Sequence, residues 1–455
     1  MIALDLHQND TICAAATPAL PSALAVIRVS GRDALAIKEQ VFSPKKGVQK
    51  FFVATFGDVT GIDEAVCVAY PHGKSYTGEA AFELSVHGSP IVVQEVLKKL
   101  QDAGCRMAEP GEFSLRAVLN HKMDLCAAES VCDLISARSK EAAQVALRNV
   151  KGGLGKFLQP TRSCIVDVLC EMEARLDFPD EDLGEKQKER LLLDMENAAK
   201  LLQKLLDGAE LGQKLIEGAR VLLFGLPNAG KSTLLNTLLG QERALVHHLP
   251  GTTRDVVEAL LVLGGIPVSL VDVAGIRDVQ IAETVEALGI EKAHNEMERA
   301  DAILWLIDAT DTDAAKQTYL ESLIQTIQAP VLKVFTKTDL LATKDFLKSP
   351  FEDGVLISAK TGAGIKELHA QVLQLLRKDA SGQQEILLTR ERQKVQVQIA
   401  HESLLLARKA LQIGEADEVV ASELRVAGEA LDKLLGKSIN QDVLDLIFSR
   451  FCIGK

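Results

Sequence analysis

The sequence predicts a multidomain chain with α+β and α/β parts, and three observations predict it. Its 455 residues allow about three domains at roughly 150 each. Its texture changes along the chain, from mixed to helical, then to strand–loop–helix, then back to helical. A glycine-containing motif, Gly225-Leu-Pro-Asn-Ala-Gly-Lys-Ser232, stands between an apolar run of strand length and a helix-like segment in the third of these regions.

Residues 1–122 make the first predicted domain, an α+β one. Short β-like runs at 23–29, 51–59 and 65–69 alternate with turns and one helical stretch at 91–103. From 123 to 217 the apolar residues take helical spacing, as in Leu191, Met195, Ala198, Leu202 and Leu205. The run Asp177-Phe-Pro-Asp-Glu-Asp182 breaks this region, because Pro179 ends a helix and the acids suit the start of the next one.

Residues 218–378 carry apolar runs at 220–224, 268–273, 302–307, 331–335 and 355–357, with helix-like segments such as 232–239 and 285–299 between them. That alternation predicts a mostly parallel sheet covered on both faces. Helical texture returns in 379–455, at 385–411 and 418–435. The simplest packing joins these helices to those of 123–217, so that 218–378 is a domain inserted in one helical bundle.

Composition excludes several classes. Lys+Arg 51 against Asp+Glu 63 leaves a net charge of −12, so any nucleic-acid contact is local or shared with another subunit. The longest apolar stretch, 259–271, is broken by Gly264-Gly265 and reads as buried strands rather than a membrane span. The first ten residues lack the basic start and apolar block of a signal peptide, and the eight cysteines form no C-x-x-C pair. A cytoplasmic protein with reduced thiols and no membrane contact is expected.

The motif at 225–232 matches G-x-x-x-x-G-K-[ST], in which backbone N–H groups at a helix N-terminus cradle phosphates. Lys231 then faces the β- and γ-phosphates, and Ser232 ligates Mg²⁺. Asp272-Val-Ala-Gly275 places a carboxylate near that metal and a flexible glycine near the γ-phosphate. Gly251-Thr-Thr-Arg-Asp255 offers Thr253 as a further Mg²⁺ ligand. Thr336-Lys-Thr-Asp339 and Ser358-Ala-Lys360 follow later strands, where open α/β sheets bind ligands. Asp339 selects guanine over adenine, since its carboxylate can accept both the ring N–H and the exocyclic amine of guanine. Five such segments in this order predict a GTPase. Thr336 stands where the usual N-K-x-D has Asn, and weaker nucleotide binding with guanine preference retained is expected.

Asn228 has two readings, a turn residue or a ligand whose side-chain oxygen holds a monovalent cation that supplies positive charge to the phosphates. His247 and His248 read as loop residues rather than metal ligands. Cys452, near the C-terminus and flanked by Gly454 and Lys455, reads either as a reactive thiolate on a mobile end or as a packing residue.

The run Gly225-Leu-Pro-Asn-Ala-Gly-Lys-Ser-Thr233, then Gly251-Thr-Thr-Arg-Asp255, then Leu288-Gly-Ile-Glu291 resembles the MnmE (TrmE) family of tRNA-modification GTPases. Further stretches agree: Ser75-Tyr-Thr-Gly-Glu79 with His87-Gly88, Pro110-Gly-Glu-Phe-Ser-Leu-Arg-Ala-Val-Leu-Asn120 through Lys122-Met-Asp-Leu125, and Phe451-Cys-Ile-Gly-Lys455. The resemblance spans almost the whole chain. It implies an N-terminal α+β domain that dimerises and binds 5-formyltetrahydrofolate or a related one-carbon folate, a helical domain, and an inserted Ras-like P-loop GTPase domain. It also implies a homodimer that acts with the flavoprotein MnmG, as a heterotetramer, on tRNA. The product would carry an aminomethyl or carboxymethylaminomethyl group at C5 of the wobble uridine, with K⁺ stimulating GTP hydrolysis.

Carried over by motif, GTP would be bound by Asn228, Ala229, Gly230, Lys231, Ser232, Thr233, His247, Thr252, Thr253, Asp272, Gly275, Lys337, Asp339, Ser358, Ala359 and Lys360. Ser232 and Thr253 would hold Mg²⁺, and Asn228, His247, Leu249 and Thr252 would hold K⁺. Glu286 falls on the family's catalytic glutamate, which orients the attacking water, with Cys452 a second catalytic candidate. Arg28, Glu83, Lys122 and Lys455 fall on folate-contacting positions. The chain departs from the family at Thr17-Pro-Ala-Leu-Pro-Ser22, which has no glycine, and at Ala80, Ser89, Val273 and Thr336. A second function class, a GTPase switch for ribosome or RNA assembly, accounts for the nucleotide motifs but not for the N-terminal ones or for Cys-Ile-Gly-Lys.

Overall fold

The structure, a computed structural model, describes residues 10–17, 20–45, 54–177, 185–241, 257–272, 296–310, 321, 324, 327–341, 353–377, 386–438, 441–449 and 451–454. The chain forms two compact units, one of Met1–Cys132, Arg148–Ala199 and Ile399–Lys455, the other of Asp133–Leu147 and Lys200–Gln398.

The first unit opens with β1 (Ile12–Ala15), β2 (Ser22–Ser30), α1 (Ala34–Val41), β3 (Ser43–Pro44), β4 (Ala54–Asp58), β5 (Glu64–Tyr70), β6 (Ala81–Gly88), α2 (Pro90–Asp102), β7 (Arg106–Met107) and α3 (Glu112–Leu119). Its seven strands lie in the order β3-β4-β5-β6-β2-β1-β7, antiparallel except for β1 with β7. In β2, Ala25, Ile27 and Val29 are buried while Val26 and Arg28 between them are not, the period-2 pattern of a sheet with one apolar face. Val93, Val96 and Leu100 of α2 cover that face at helical spacing. Arg28 and Glu83, cross-strand partners in β2 and β6, are therefore left on the opposite face.

Helices follow in α4 (Leu125–Ser136), α5 (Lys140–Val150), α6 (Gly153–Asp177), α7 (Glu185–Asp207) and α8 (Ala209–Glu217). The second unit, to which α8 and most of α5 already belong, also contains β8 (Ala219–Gly225), α9 (Lys231–Gln241), β9 (Val257–Leu263), β10 (Ile266–Asp272), β11 (Ala302–Asp308), β12 (Val331–Thr336), β13 (Gly354–Leu356) and α10 (Ile365–Leu376). These strands form a six-stranded sheet in the order β13-β12-β11-β8-β10-β9, parallel except for the β9–β10 hairpin that turns at Gly264-Gly265. Neighbouring residues of one strand enter opposite cores. Val221 and Leu223 join Leu234 and Leu304, whereas Leu222 and Phe224 join Ile303 and Trp305. Burial on both faces explains why these strands read as continuous apolar runs; each fully buried leucine or valine contributes about 1.5–3 kcal/mol.

The chain closes with α11 (Glu391–Ile413), α12 (Asp417–Leu435) and α13 (Gln441–Phe448). In the first unit α12 packs along α6 and is clamped near both ends. Arg162 binds Asp432 through Nε at 2.6 Å and Nη2 at 3.1 Å, and Arg175 Nη1 binds Asp417 at 2.9 Å. The C-terminal helix α12 thus lies against α6 within the first unit, while 133–147 and 200–217 of the earlier helical region fall in the second unit. Among the described residues no helix is long and apolar enough to cross a membrane.

Candidate guanine-nucleotide site

Four segments converge at the C-terminal edge of the parallel strands. At Gly225, where β8 ends, φ is +154°, and a Cβ there would stand 2.4 Å from the Leu306 carbonyl oxygen. Only glycine lets the chain leave the strand so close to β11. Asn228, at φ +66°, holds a left-handed conformation uncommon for a residue with a Cβ. The loop then enters α9, whose first-turn N–H groups are suited to an anion.

Lys231, 6% exposed, donates from Nζ to the carbonyls of Gly225 at 2.9 Å and Leu226 at 2.8 Å, so its ammonium is folded over its own loop. Ser232 and Thr233 are exposed on the first turn of α9. Asp272, the buried last residue of β10, pairs in register with Leu223, beside the strand that feeds the loop.

The segment after β12 is tied to this loop. Thr336 Oγ1 lies 2.8 Å from the Ala229 carbonyl oxygen and 3.3 Å from that of Ile307. A hydroxyl has one proton, and the shorter bond takes it, linking β12 to the phosphate loop past the intervening β11. Lys337, in a left-handed conformation at φ +58°, places Nζ 2.6 Å from Asp308 Oδ2. Asp308 Oδ1 also accepts the Thr310 N–H at 3.0 Å and hydroxyl at 2.7 Å. Burial alone would raise the Asp308 carboxyl; Lys337 and Thr310 outweigh it and hold the group below its usual range.

Asp339 Oδ1 accepts the Ser358 hydroxyl at 2.7 Å, and Ser358 Oγ accepts the Thr361 N–H at 3.2 Å. Thr237 of α9 has Oγ1 2.9 Å from the Ala359 carbonyl, with Lys360 exposed next to it. The structure therefore brings together Asn228, Ala229, Gly230, Lys231, Ser232, Thr233, Asp272, Lys337, Asp339, Ser358, Ala359 and Lys360. His247, Leu249, Thr252, Thr253, Gly275 and Glu286 lie outside the described residues, as does Lys455. Sequence reasoning passed over Asp308, although it carries the same signal as Asp272, an acid closing a buried strand.

The N-terminal residues form a separate cluster in the first unit. Arg28 Nε binds Glu83 Oε1 at 2.8 Å, and its guanidinium lies over the rings of Tyr76 and Phe113, 5.3 and 5.6 Å from their centroids. Arg28 Nη1 also donates to the Gly454 carbonyl at 3.2 Å. Lys122 Nζ donates to the Gly73 carbonyl at 3.1 Å.

The C-terminal residues pack into this same unit. Phe448 and Phe451, with ring centroids 4.9 Å apart, are buried with Leu115 and Val118, and the Gly111 N–H donates to the Cys452 carbonyl at 3.4 Å. Gly454 is buried, and a Cβ on it would meet the Ala15 carbonyl oxygen at 2.7 Å. Cys452 is an exposed free thiol on a backbone anchored on both sides. An ion network supports the cluster. Arg116 Nη2 binds Glu112 at 2.8 Å, its Nη1 binds Glu79 at 3.1 Å, and Arg106 binds both Glu112 and Asp10.

A phosphate loop at a strand-to-helix junction, tied to a T-K-T-D segment and an S-A-K loop on the edge of a mostly parallel sheet, defines a P-loop GTPase. A family model described as "GTP-binding protein TrmE N-terminus" matches residues 11–122, and one described as "MnmE helical domain" matches residues 125–452. The chain is 38% identical to the tRNA modification GTPase MnmE of Opitutus terrae, over 98% of this chain and 99% of that one. It is 40% identical to the tRNA modification GTPase MnmE of Synechococcus sp., over 98% of each. A solved structure of Aquifex aeolicus Era bound to GDP·AlF4⁻ is 28% identical over 41% of this chain and 67% of that one, with a TM-score of 0.29. The chain belongs to the MnmE family of tRNA modification GTPases.

Proposed function

We propose that this GTPase uses its nucleotide cycle to drive modification at C5 of the wobble uridine of certain tRNAs. It acts as a homodimer together with the flavoprotein MnmG and installs an aminomethyl or carboxymethylaminomethyl group. The observation that supports the GTPase part of this reading is the Thr336–Ala229 tie, which joins the phosphate loop to the T-K-T-D segment. The full-length relatives named for tRNA modification supply the substrate class.

The donor set suits Mg²⁺, a hard cation that takes oxygen ligands: Ser232 offers a hydroxyl on the first turn of α9 and Asp272 a carboxylate on the neighbouring strand, with Thr253 assigned by motif. Mg²⁺ would supply charge neutralisation between the phosphates. Asn228 presents an exposed amide from a strained loop position, and its oxygen, with His247, Leu249 and Thr252, suits K⁺. Glu286 orients the attacking water. In the first unit, Arg28, Glu83, Lys122 and Lys455 bind the folate, and Cys452, an exposed free thiol between Phe451 and Gly454, is the second catalytic candidate.

The test is GTP turnover of the wild type and Asn228→Ala in KCl and in NaCl at equal ionic strength. A stimulation by K⁺ of about tenfold or more, lost in Asn228→Ala, is expected. Equal rates in the two salts would remove the cation from the account.

A further inference from the structure

Asp308 closes β11 and is the register partner of Thr336, the residue just before Lys337. Its carboxylate accepts three hydrogens: the Lys337 ammonium on one oxygen, and the Thr310 N–H and hydroxyl on the other. The pair is partly sheltered, with side chains 17% and 35% exposed. Lys337 meanwhile keeps a left-handed backbone, a conformation disfavoured for a residue with a Cβ. A strained backbone together with an ion pair at the side-chain tip fixes both ends of this lysine. The next turn is fixed as well, because Thr338 N–H donates to the Ile357 carbonyl at 3.2 Å and Asp339 is held by Ser358.

We propose that Asp308 is a positioning residue for guanine recognition, holding the Lys337 side chain in place over the base-binding edge. The proposal rests on the GTPase reading of this site and adds a residue that no part of the T-K-T-D pattern contains. Physically, an unheld lysine loses its rotamer freedom only when nucleotide binds, and that entropy weakens binding. With Asp308 in place the side chain is ordered beforehand. Thr310 does the same for Asp308, since its two donors leave the carboxylate one orientation in which Oδ2 faces Lys337. Asp308 acts through Lys337, so its removal weakens nucleotide retention without slowing hydrolysis in the bound state.

The test uses the full chain as Asp308→Asn, Lys337→Ala and the double variant, with Asp308→Glu as the conservative control. The readouts are the release rate of fluorescent mant-GDP, and KM and kcat for GTP. Asp308→Asn is expected to release mant-GDP about fivefold faster and to raise KM similarly, as for a partly exposed ion pair, with kcat within about twofold of wild type. The double variant should release no faster than Lys337→Ala alone, and Asp308→Glu should restore part of the loss. Additive effects in the double variant overturn the proposal, as does release at the wild-type rate from Asp308→Asn. A lower melting midpoint with unchanged release from the folded protein also overturns it, assigning Asp308 to stability alone. A wild-type chain that retains no mant-GDP contradicts the GTPase reading instead.

Discussion

Lys231→Ala is expected to lower GTP turnover by about 10²–10³-fold while leaving the chain folded, the loss seen when one preorganised donor to a developing charge is removed. In the structure the Lys231 ammonium is satisfied by two carbonyls of its own loop, so it is already held at the place where phosphate oxygens would replace those partners. Lys231→Arg should not rescue, because a planar guanidinium does not fit a space shaped for a compact ammonium. Turnover by Lys231→Ala within a few-fold of wild type, measured by phosphate release at saturating GTP, would show that this loop does not bind the reacting phosphates.

The second large effect lies in the first unit. Arg116 is 4% exposed and Glu112 1%, and Arg116 also binds Glu79 and the Asp10 carbonyl, the latter at 2.8 Å. Replacing Arg116 with Met leaves buried carboxylate charge without this partner, which costs about 3–5 kcal/mol. Thermal unfolding should show the transition of this unit lowered by about 10 °C, given a shift of roughly 2–4 °C per kcal/mol for a unit of this size.

The network also sets an acid limit. Burial would raise the Glu112 carboxyl, but Arg106, the Glu109 N–H and Arg116 outweigh it and hold the group below its ordinary value. A folded value below the unfolded one means that this stabilisation is present above about pH 4.3 and is lost as pH falls through the folded value. Glu112→Gln should therefore flatten the stability profile in that acid window. An unchanged profile would mean that Glu112 gains nothing from its two arginines.

The nucleotide loop and the sheet strands were legible in the sequence because local chemistry dictates them. Glycines at 225 and 230 are needed where φ is positive, and a strand buried on both faces must be apolar along its length. The T-K-T-D segment was legible as a pattern but not as a contact. Thr336 reads as a loss relative to Asn, yet its hydroxyl donates to the Ala229 carbonyl, a contact that the pattern alone does not reveal.

The N-terminal cluster was legible only by resemblance. Arg28 and Gly454 are 426 residues apart, and Arg116 reaches Glu79 across 37, so no periodicity or spacing brings them together. Burial of charge was the least legible feature. Glu112 and Arg116 sit four apart, a spacing that reads as an exposed helical pair, and only the packing of α3 turns it into a buried one.

The central claim is that this GTPase cycle drives a change at the wobble uridine, and tRNA itself is the most direct place to look. The measurement is mass analysis of wobble nucleosides in tRNA from a strain lacking this gene, complemented with the wild type or with Lys231→Ala. The account predicts that the C5 substituent disappears in the deletion, returns with the wild type and does not return with Lys231→Ala. A C5 substituent that persists in the deletion strain would contradict it and favour a GTPase switch without modification chemistry.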